Sequence, residues 1–392
     1  MKNILTRTMI FSSLNNLDFS RNINREFVSS LFNRSFETPT LFISRGEISN
    51  NYRALKSALP RAAIHYAVKS NNHQVILDTV HGEGGNFDVC SSGEIDQALK
   101  AGTPPHTLMY SMPIKSRFEF DYAVGKGVEI FVVDNPDEVQ KLYRYRDKKL
   151  KIMIRYRINT NTTAVVNLQY KFGCVTEDVL PLARLVRETG HEFHGLSFHI
   201  GSQCVYAENY IKAITAAGEL IQALDAEDFK VSILNIGGGF PVDYIESIPA
   251  IGEFCQPIES ALHYFIPPSI KVICEPGRFI SASPVTLVSS IIGKSRRDGK
   301  IWYYLDDGLY STFSGIIFDH CQYPIISRKA GEEKLSVLAG PTCDSFDVMY
   351  DGLMIPEHEI GDMLIFPMTG AYCAVSGSNF NSLKTPDCII ID

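Results

Sequence analysis

The sequence predicts an α/β domain followed by a β-rich one: a (β/α)8 TIM barrel over residues 38–278, then a β-domain over residues 279–392. Three observations carry this. Eight short, near-continuous apolar runs lie between residues 64 and 274, the mark of parallel strands buried on both faces. Amphipathic helical patterns separate them, and eight strand–helix units are the number that closes a barrel. Beyond residue 278 the helical patterns stop, and short strand-like runs follow, divided by Gly, Asp and Ser. Periodicity alone also admits an open doubly wound sheet.

Residues 1–37 are polar and mixed, and pattern assigns them no element. The expected barrel strands are Ile64–Val68, Phe87–Cys90, Leu108–Met112, Ile130–Val133, Ile152–Tyr156, Leu196–Ile200, Ile233–Ile236 and Val272–Cys274. Between the fifth and sixth, Val179, Leu182, Ala183 and Val186 recur at helical spacing within Thr176–Glu188. Thr176 suits the N-cap there, and Glu177 and Asp178 suit the positive end of the helix dipole. A second helix near Ala207–Leu224 carries Ile211, Ile214, Gly218 and Ile221 on one face. The β-domain runs are Val285–Ile292, Trp302–Leu305, Ile316–Phe318, Leu335–Leu338 and Met363–Pro367.

Composition removes several function classes. Thirty-seven basic against 44 acidic side chains leave a net charge of −7, without the basic excess that a nucleic-acid surface needs. No run approaches the roughly 18 apolar residues of a membrane span. Met1 to Asn15 holds Lys2 and Arg7 among scattered apolar residues and no cleavage pattern, so the chain reads as cytoplasmic. Nine cysteines, an odd number without a C-x-x-C pair, fit reduced thiols rather than disulfides or zinc. His191 and His194 are three apart with no third ligand in view, and read as surface histidines.

Barrel active sites lie at the C-terminal ends of the strands. Those positions hold Lys69, Asp88, Ser111, Asp134, Arg155, His199, Gly237-Gly238-Gly239 and Glu275-Pro276-Gly277-Arg278. Any one of them is explained by polar residues beginning where strands end. A lysine, an arginine, a histidine and a carboxylate converging on one mouth are not. Partial desolvation at the top of a buried strand would make the neutral amine of Lys69 accessible for a Schiff base. The three glycines let backbone N–H groups approach an anion, and Arg278 on the adjacent strand end favours a phosphate; a tight βα turn is the alternative reading of the glycines alone. The loop is neither a P-loop nor a G-x-G-x-x-G fingerprint.

Five motifs then stand in one order: Tyr66-Ala67-Val68-Lys69, His199-Ile200-Gly201-Ser202, Gly237-Gly238-Gly239-Phe240-Pro241, Glu275-Pro276-Gly277-Arg278 and Gly340-Pro341-Thr342-Cys343-Asp344-Ser345. Over about residues 38–385 the chain resembles the pyridoxal-phosphate-dependent decarboxylases of the alanine-racemase fold (fold type III), and within them the ornithine decarboxylases. The resemblance implies a pyridoxal 5'-phosphate (PLP) barrel, a β-domain that Thr40–Ser44 and residues 1–37 join, and a homodimer with shared active sites. It implies that Lys69 carries PLP, that Glu275 faces the ring nitrogen and that His199 stacks on the ring. Asp88 and Glu94 match acidic residues near the linkage, ordered by Arg155. Ser202, Gly237, Gly238, Gly239, Gly277, Arg278 and Tyr372 match residues that hold the cofactor and its phosphate.

From the β-domain, Cys343 matches the proton donor to Cα, and Asp344 with Asp319 matches the partners of a distal ammonium. Tyr310 and Phe380 match residues lining the substrate cleft, and Lys171 with Asp347 an inter-subunit salt bridge. A racemase of this fold places Arg where Glu275 stands, so Glu275 favours decarboxylation. Diaminopimelate decarboxylases resemble the chain but carry Glu at Asp344, and an acidic pair repels a distal carboxylate. The expected reaction is therefore L-ornithine to putrescine and CO2, a step of polyamine biosynthesis; the motifs do not read pocket depth, so lysine to cadaverine as a further reaction, or a lysine-preferring or other basic amino acid decarboxylase, stays open. A non-catalytic regulatory homologue would lack several of Lys69, Glu275, Arg278, Cys343 and Asp344, all of which are present.

Overall fold

The computed structural model describes residues 11–13, 24–158, 170–245 and 247–392. Two strands come first, β1 (Phe11–Ser13) and β2 (Thr40–Ser44). Eight follow: β3 (Ala62–Ala67), β4 (Asn86–Val89), β5 (Met109–Tyr110), β6 (Ile130–Val133), β7 (Lys151–Arg155), β8 (Glu192–Ser197), β9 (Ile233–Asn235) and β10 (Lys271–Cys274). These eight pair in parallel in chain order, and β10 returns to β3, so the sheet is a closed barrel rather than an open one. Each observed strand overlaps a predicted run and is displaced by a few residues at its ends.

The barrel closes because its interior is apolar and its helices are cut to length by polar caps. Met109, Ile130, Val132, Met153, Ile233 and Ile273 pack together on neighbouring strands. Ser91, Ser116 and Asn135 accept from the backbone N–H of Glu94, Glu119 and Glu138, opening the helices that follow β4, β5 and β6. The helix Val179–Glu188 buries the four residues its period predicts. Thr176 instead opens a short 3-10 turn, and Asp178 takes the cap position without a side-chain cap bond. Within the helix Glu208–Asp225, a Cβ on Gly218 would lie 2.9 Å from the carbonyl of Phe265, so the glycine admits the neighbouring helix Ile251–Phe265.

Contacts divide the chain into a barrel unit, Ile48–Pro241 with Pro249–Ile280, and a β-unit made of the described residues up to Glu47, the described part of Val242–Ile248, and Ser281–Asp392. The β-unit holds β1, β2, β11 (Val285–Arg297), β12 (Lys300–Leu305), β13 (Ile325–Ser327), β14 (Glu333–Ala339), β15 (Val348–Pro356), β16 (Met363–Phe366) and β17 (Asp387–Ile391). Its backbone order is β1-β13-β16-β11-β12-β14-β15, with β2 paired to both β11 and β17. Residues from before the barrel therefore complete a sheet otherwise built after it. Val28, Leu31 and Phe42 pack with Val288, Ile326 and Ile365 to fix them there.

Ile316–Phe318, expected as a strand, is the end of a short helix, Ser314–Phe318. Three apolar residues in a row carry no period, and here Phe318 is 65% exposed, so no sheet face claims it. Strands β1, β13, β15 and β17 have no counterpart among the predicted runs. His191 is buried rather than on the surface: its Nδ1 accepts from Leu150 N (3.1 Å) and its other ring nitrogen lies 2.9 Å from Leu142 O.

Candidate active site

Lys69 rides on a 3-10 turn, Val68–Ser70, directly after β3. Its side chain is 35% exposed, and Nζ donates to Asp88 Oδ2 at 2.7 Å. Asp88 is wholly buried on neighbouring β4, and its Oδ1 has no hydrogen-bond partner among the described residues. Beyond it, Cys90 N donates to Glu94 Oε2 (2.6 Å) from the first turn of the following helix. Burial pushes Glu94 up to about 7, partly offset by the positive charge of Lys69. Cys90 Sγ lies 3.7 Å from Lys69 Nζ and 3.9 Å from Ser111 Oγ.

Glu275 follows β10, buried. Its Oε1 accepts from Asn235 Nδ2, while Asn235 Oδ1 accepts from Gly237 N at 2.8 Å. Burial first, and then the charge of Asp88, push the Glu275 carboxyl well up; Lys69 and Arg155 work against this. Arg155 ends β7, its guanidinium 5.5 Å from the centre of the Phe172 ring. Asp134, after β6, accepts from Gly173 N (2.8 Å) in the same stretch as Phe172. His199 follows β8; Nδ1 accepts from Gly201 N (3.0 Å), which leaves Nε2 to carry the proton of a neutral ring. Burial holds that ring neutral, pushing its pKa well below the usual range, and Arg155 and Lys69 add to this.

The glycine loop after β9 is threaded between strand ends. A Cβ on Gly238 would lie 2.3 Å from the Glu275 carbonyl and 3.3 Å from His199 Nε2, and one on Gly239 2.2 Å from the Gly201 carbonyl. Gly237 and Gly239 also have φ of +68° and +106°, which other residues seldom adopt. All three carbonyls are held by the barrel, by Glu275 N, Tyr210 Oη and Cys204 N. Beside this loop Arg278 is buried and donates to Ser202 Oγ at 2.8 Å. Gly277 immediately precedes Arg278 at this strand end.

The predicted barrel residues thus share one mouth, and their chemistry fits pyridoxal phosphate: an amine for its carbonyl, a carboxylate for its ring nitrogen, and an arginine, a serine and a glycine loop for its phosphate. The model for the pyridoxal-dependent decarboxylase, pyridoxal-binding domain, matches residues 45–282. This chain belongs to the pyridoxal-dependent decarboxylases of basic amino acids. It is 33% identical to the lysine/ornithine decarboxylase of Selenomonas ruminantium, over 91% of this chain and 90% of that one. A solved lysine/ornithine decarboxylase of Vibrio vulnificus, complexed with putrescine, superposes with a TM-score of 0.87 at 37% identity, over 94% of this chain and 98% of that one. The Paramecium bursaria Chlorella virus arginine decarboxylase, bound to agmatine, gives 0.86 at 30%, over 93% and 100%. The cofactor of this decarboxylase is pyridoxal 5'-phosphate.

In the β-unit of the decarboxylase, Tyr310 and Phe380 stack with ring centres 4.5 Å apart. Tyr310 Oη donates to Asp344 Oδ2, and this bond holds the carboxyl of half-buried Asp344 below the usual carboxylate range. Cys343 is exposed, and its backbone N–H donates to Asn381 Oδ1 (3.0 Å). Asp319 follows the helix Ser314–Phe318 and is 9% exposed; Tyr372 has a left-handed φ of +55°. Asp347 is 2% exposed, and its carboxylate is occupied by donors of its own chain. Lys171 is exposed, with Nζ 5.1 Å from the Phe172 ring centre.

Sequence reasoning missed Asn235, the residue that ties Glu275 to the glycine loop. Its only signal is a polar side chain inside the apolar run Ile233–Ile236.

Among the described residues, no helix is long and apolar enough to cross a membrane.

Proposed function

We propose that this decarboxylase acts on L-ornithine, releasing CO2 and putrescine, and turns over L-lysine to cadaverine as a second reaction. The observation that carries the reading is the Tyr310–Asp344 pair: a half-buried carboxylate, its pKa held down by the tyrosine hydroxyl, beside a stacked aromatic pair, suited to a distal ammonium. The enzyme would work as a homodimer in which Cys343 and Asp344 reach the barrel mouth of a second copy. Phe346, 58% exposed two residues past Asp344, and Phe318, 65% exposed beside Asp319, supply apolar surface for that contact.

When bound, pyridoxal phosphate supplies a carbonyl for the substrate amine and a ring that accepts the electron pair left on Cα. Lys69 would hold it through Nζ, oriented by Asp88, with Glu94 and Arg155 setting the charge around them. Glu275, raised by burial and fixed by Asn235, would hold a proton at the ring nitrogen. Neutral His199 offers an uncharged ring as a stacking face. Ser202, Arg278, Gly277, the glycine loop and Tyr372 would bind the phosphate. Asp319 and Asp344 would bind the distal ammonium, Tyr310 and Phe380 would line the cleft, and Cys343 Sγ–H would protonate Cα after CO2 leaves.

Asp344→Asn tests this. Removing one partner of a desolvated ion pair costs about 3–5 kcal/mol, so the KM for ornithine should rise at least a hundredfold while PLP absorbance persists. An unchanged KM would remove Asp344 from the substrate site. Lysine stays close to ornithine because one methylene is worth only about 1–3 kcal/mol.

A further inference from the structure

Strands β12 and β14 are parallel neighbours, pairing Ile301 with Ser336 through Tyr304 with Ala339. The loops that leave them therefore emerge side by side at one edge of the sheet. The first carries Tyr310, and the second carries Cys343 and Asp344.

One buried carboxylate joins the two. Asp347, at the end of the second loop, accepts from Leu309 N (2.8 Å) across the gap, and from Thr342 N (3.1 Å) and Thr342 Oγ1 (2.7 Å) on its own loop. Its backbone closes the same turn: Gly340 N donates to Asp347 O (2.8 Å), and Asp347 N donates to Asp344 O (3.1 Å). Both loops press against the carboxylate. A Cβ on Gly308 or on Gly340 would fall 2.5 Å or 2.3 Å from its oxygens. The donors lie next in sequence to the residues that matter, since Leu309 precedes Tyr310 and Thr342 precedes Cys343.

We propose that Asp347 is a positioning residue that fixes the two loops in one register, and so sets where Tyr310, Cys343 and Asp344 stand. The inference rests on the substrate reading above. Resemblance assigns Asp347 to a salt bridge with the partner subunit's Lys171. The three donors within the chain occupy three of about four acceptor positions on the carboxylate, so the clamp is a second role that stands whether or not that bridge forms. Bonds to a carboxylate are roughly twice as strong as neutral ones, so this clamp outweighs an ordinary turn bond.

The test uses PLP-loaded dimer carrying Asp347→Asn, which keeps the shape but turns one acceptor into a donor facing donors. The KM for ornithine should rise about tenfold, and the share of aldehyde by-product should rise as the proton donor Cys343 loses its place. PLP absorbance and dimer mass should be retained. Thr342→Val, which removes the hydroxyl donor to the carboxylate together with the long 3.4 Å contact that this hydroxyl accepts from Asp344 N, should shift both readouts the same way by less. A readout independent of turnover is the alkylation rate of Cys343 in a Cys388→Ser background, which should change severalfold in both variants. Unchanged KM, product partition and alkylation in a folded Asp347→Asn dimer would overturn the proposal. So would a variant that merely dissociates and is reproduced by Lys171→Ala. If wild-type enzyme does not turn over ornithine or lysine, the substrate reading fails, while the alkylation result still decides the clamp.

Discussion

Glu94 shows how a single side chain couples the site to pH. It accepts the Cys90 N–H from the first turn of its helix, and burial lifts it to about 7. A carboxyl whose folded pKa lies above its unfolded value binds more protons folded than unfolded between the two. Stability contributed by that proton is present at low pH and is lost as pH rises from about 4.5 through about 7. The limit is about 3.5 kcal/mol, at some 1.4 kcal/mol per pKa unit. In protein stripped of PLP, Tm should therefore fall more between pH 5 and 8 for wild type than for Glu94→Gln. Parallel curves would refute this. At this scale most of the candidate site was legible, because Lys69, Asp88, Arg155, His199 and Glu275 are titratable groups just past an apolar run or within its last residues. Asn235 stands in the same kind of place, but a neutral amide there gives no sign of which carboxylate it will meet. Nor was the burial of Asp347, because donors from two loops converge there only after β12 and β14 pair.

Among elements, the glycine loop after β9 does the most to shape the barrel mouth. Gly238→Ala would set a Cβ 2.3 Å from the Glu275 carbonyl, a backbone atom beside the bond from Glu275 N to the Gly237 carbonyl. Overpacking of this kind costs about 1–3 kcal/mol, so PLP affinity should drop about five- to 150-fold, measured by absorbance titration. Unchanged affinity would show that the loop does not set the phosphate site. The barrel strands were readable because a strand buried on both faces is a continuous apolar run. The β-unit was less so. β17 (Asp387–Ile391) is mostly exposed, so burial wrote no alternation into it. β15 changes register twice against β14, which breaks any period of two. Ile316–Phe318 shows the opposite error, an apolar triplet whose exposed end belongs to a helix.

For the whole molecule, the sequence placed two domains in order, while the β-unit is discontinuous: β2 pairs with β11 and β17, far down the chain. Only the resemblance carried that information, because strand pairing across more than 200 residues leaves no local pattern. The shared-site homodimer is the corresponding proposal for assembly. Mixing Lys69→Ala with Cys343→Ala should regenerate sites in mixed dimers, about a quarter of all sites at equal mixing if exchange is random. No recovery despite proven subunit exchange would place each site within one chain. The net charge of −7 fits a protein whose substrate and product are cations, since its field does not repel them.

Substrate choice is decided by kcat/KM of the purified enzyme on ornithine, lysine, arginine and diaminopimelate under one set of conditions. Ornithine should come first, lysine within about two orders of magnitude, and diaminopimelate last, because an acidic subsite repels its distal carboxylate. An enzyme that prefers diaminopimelate would have no acidic subsite at Asp319 and Asp344.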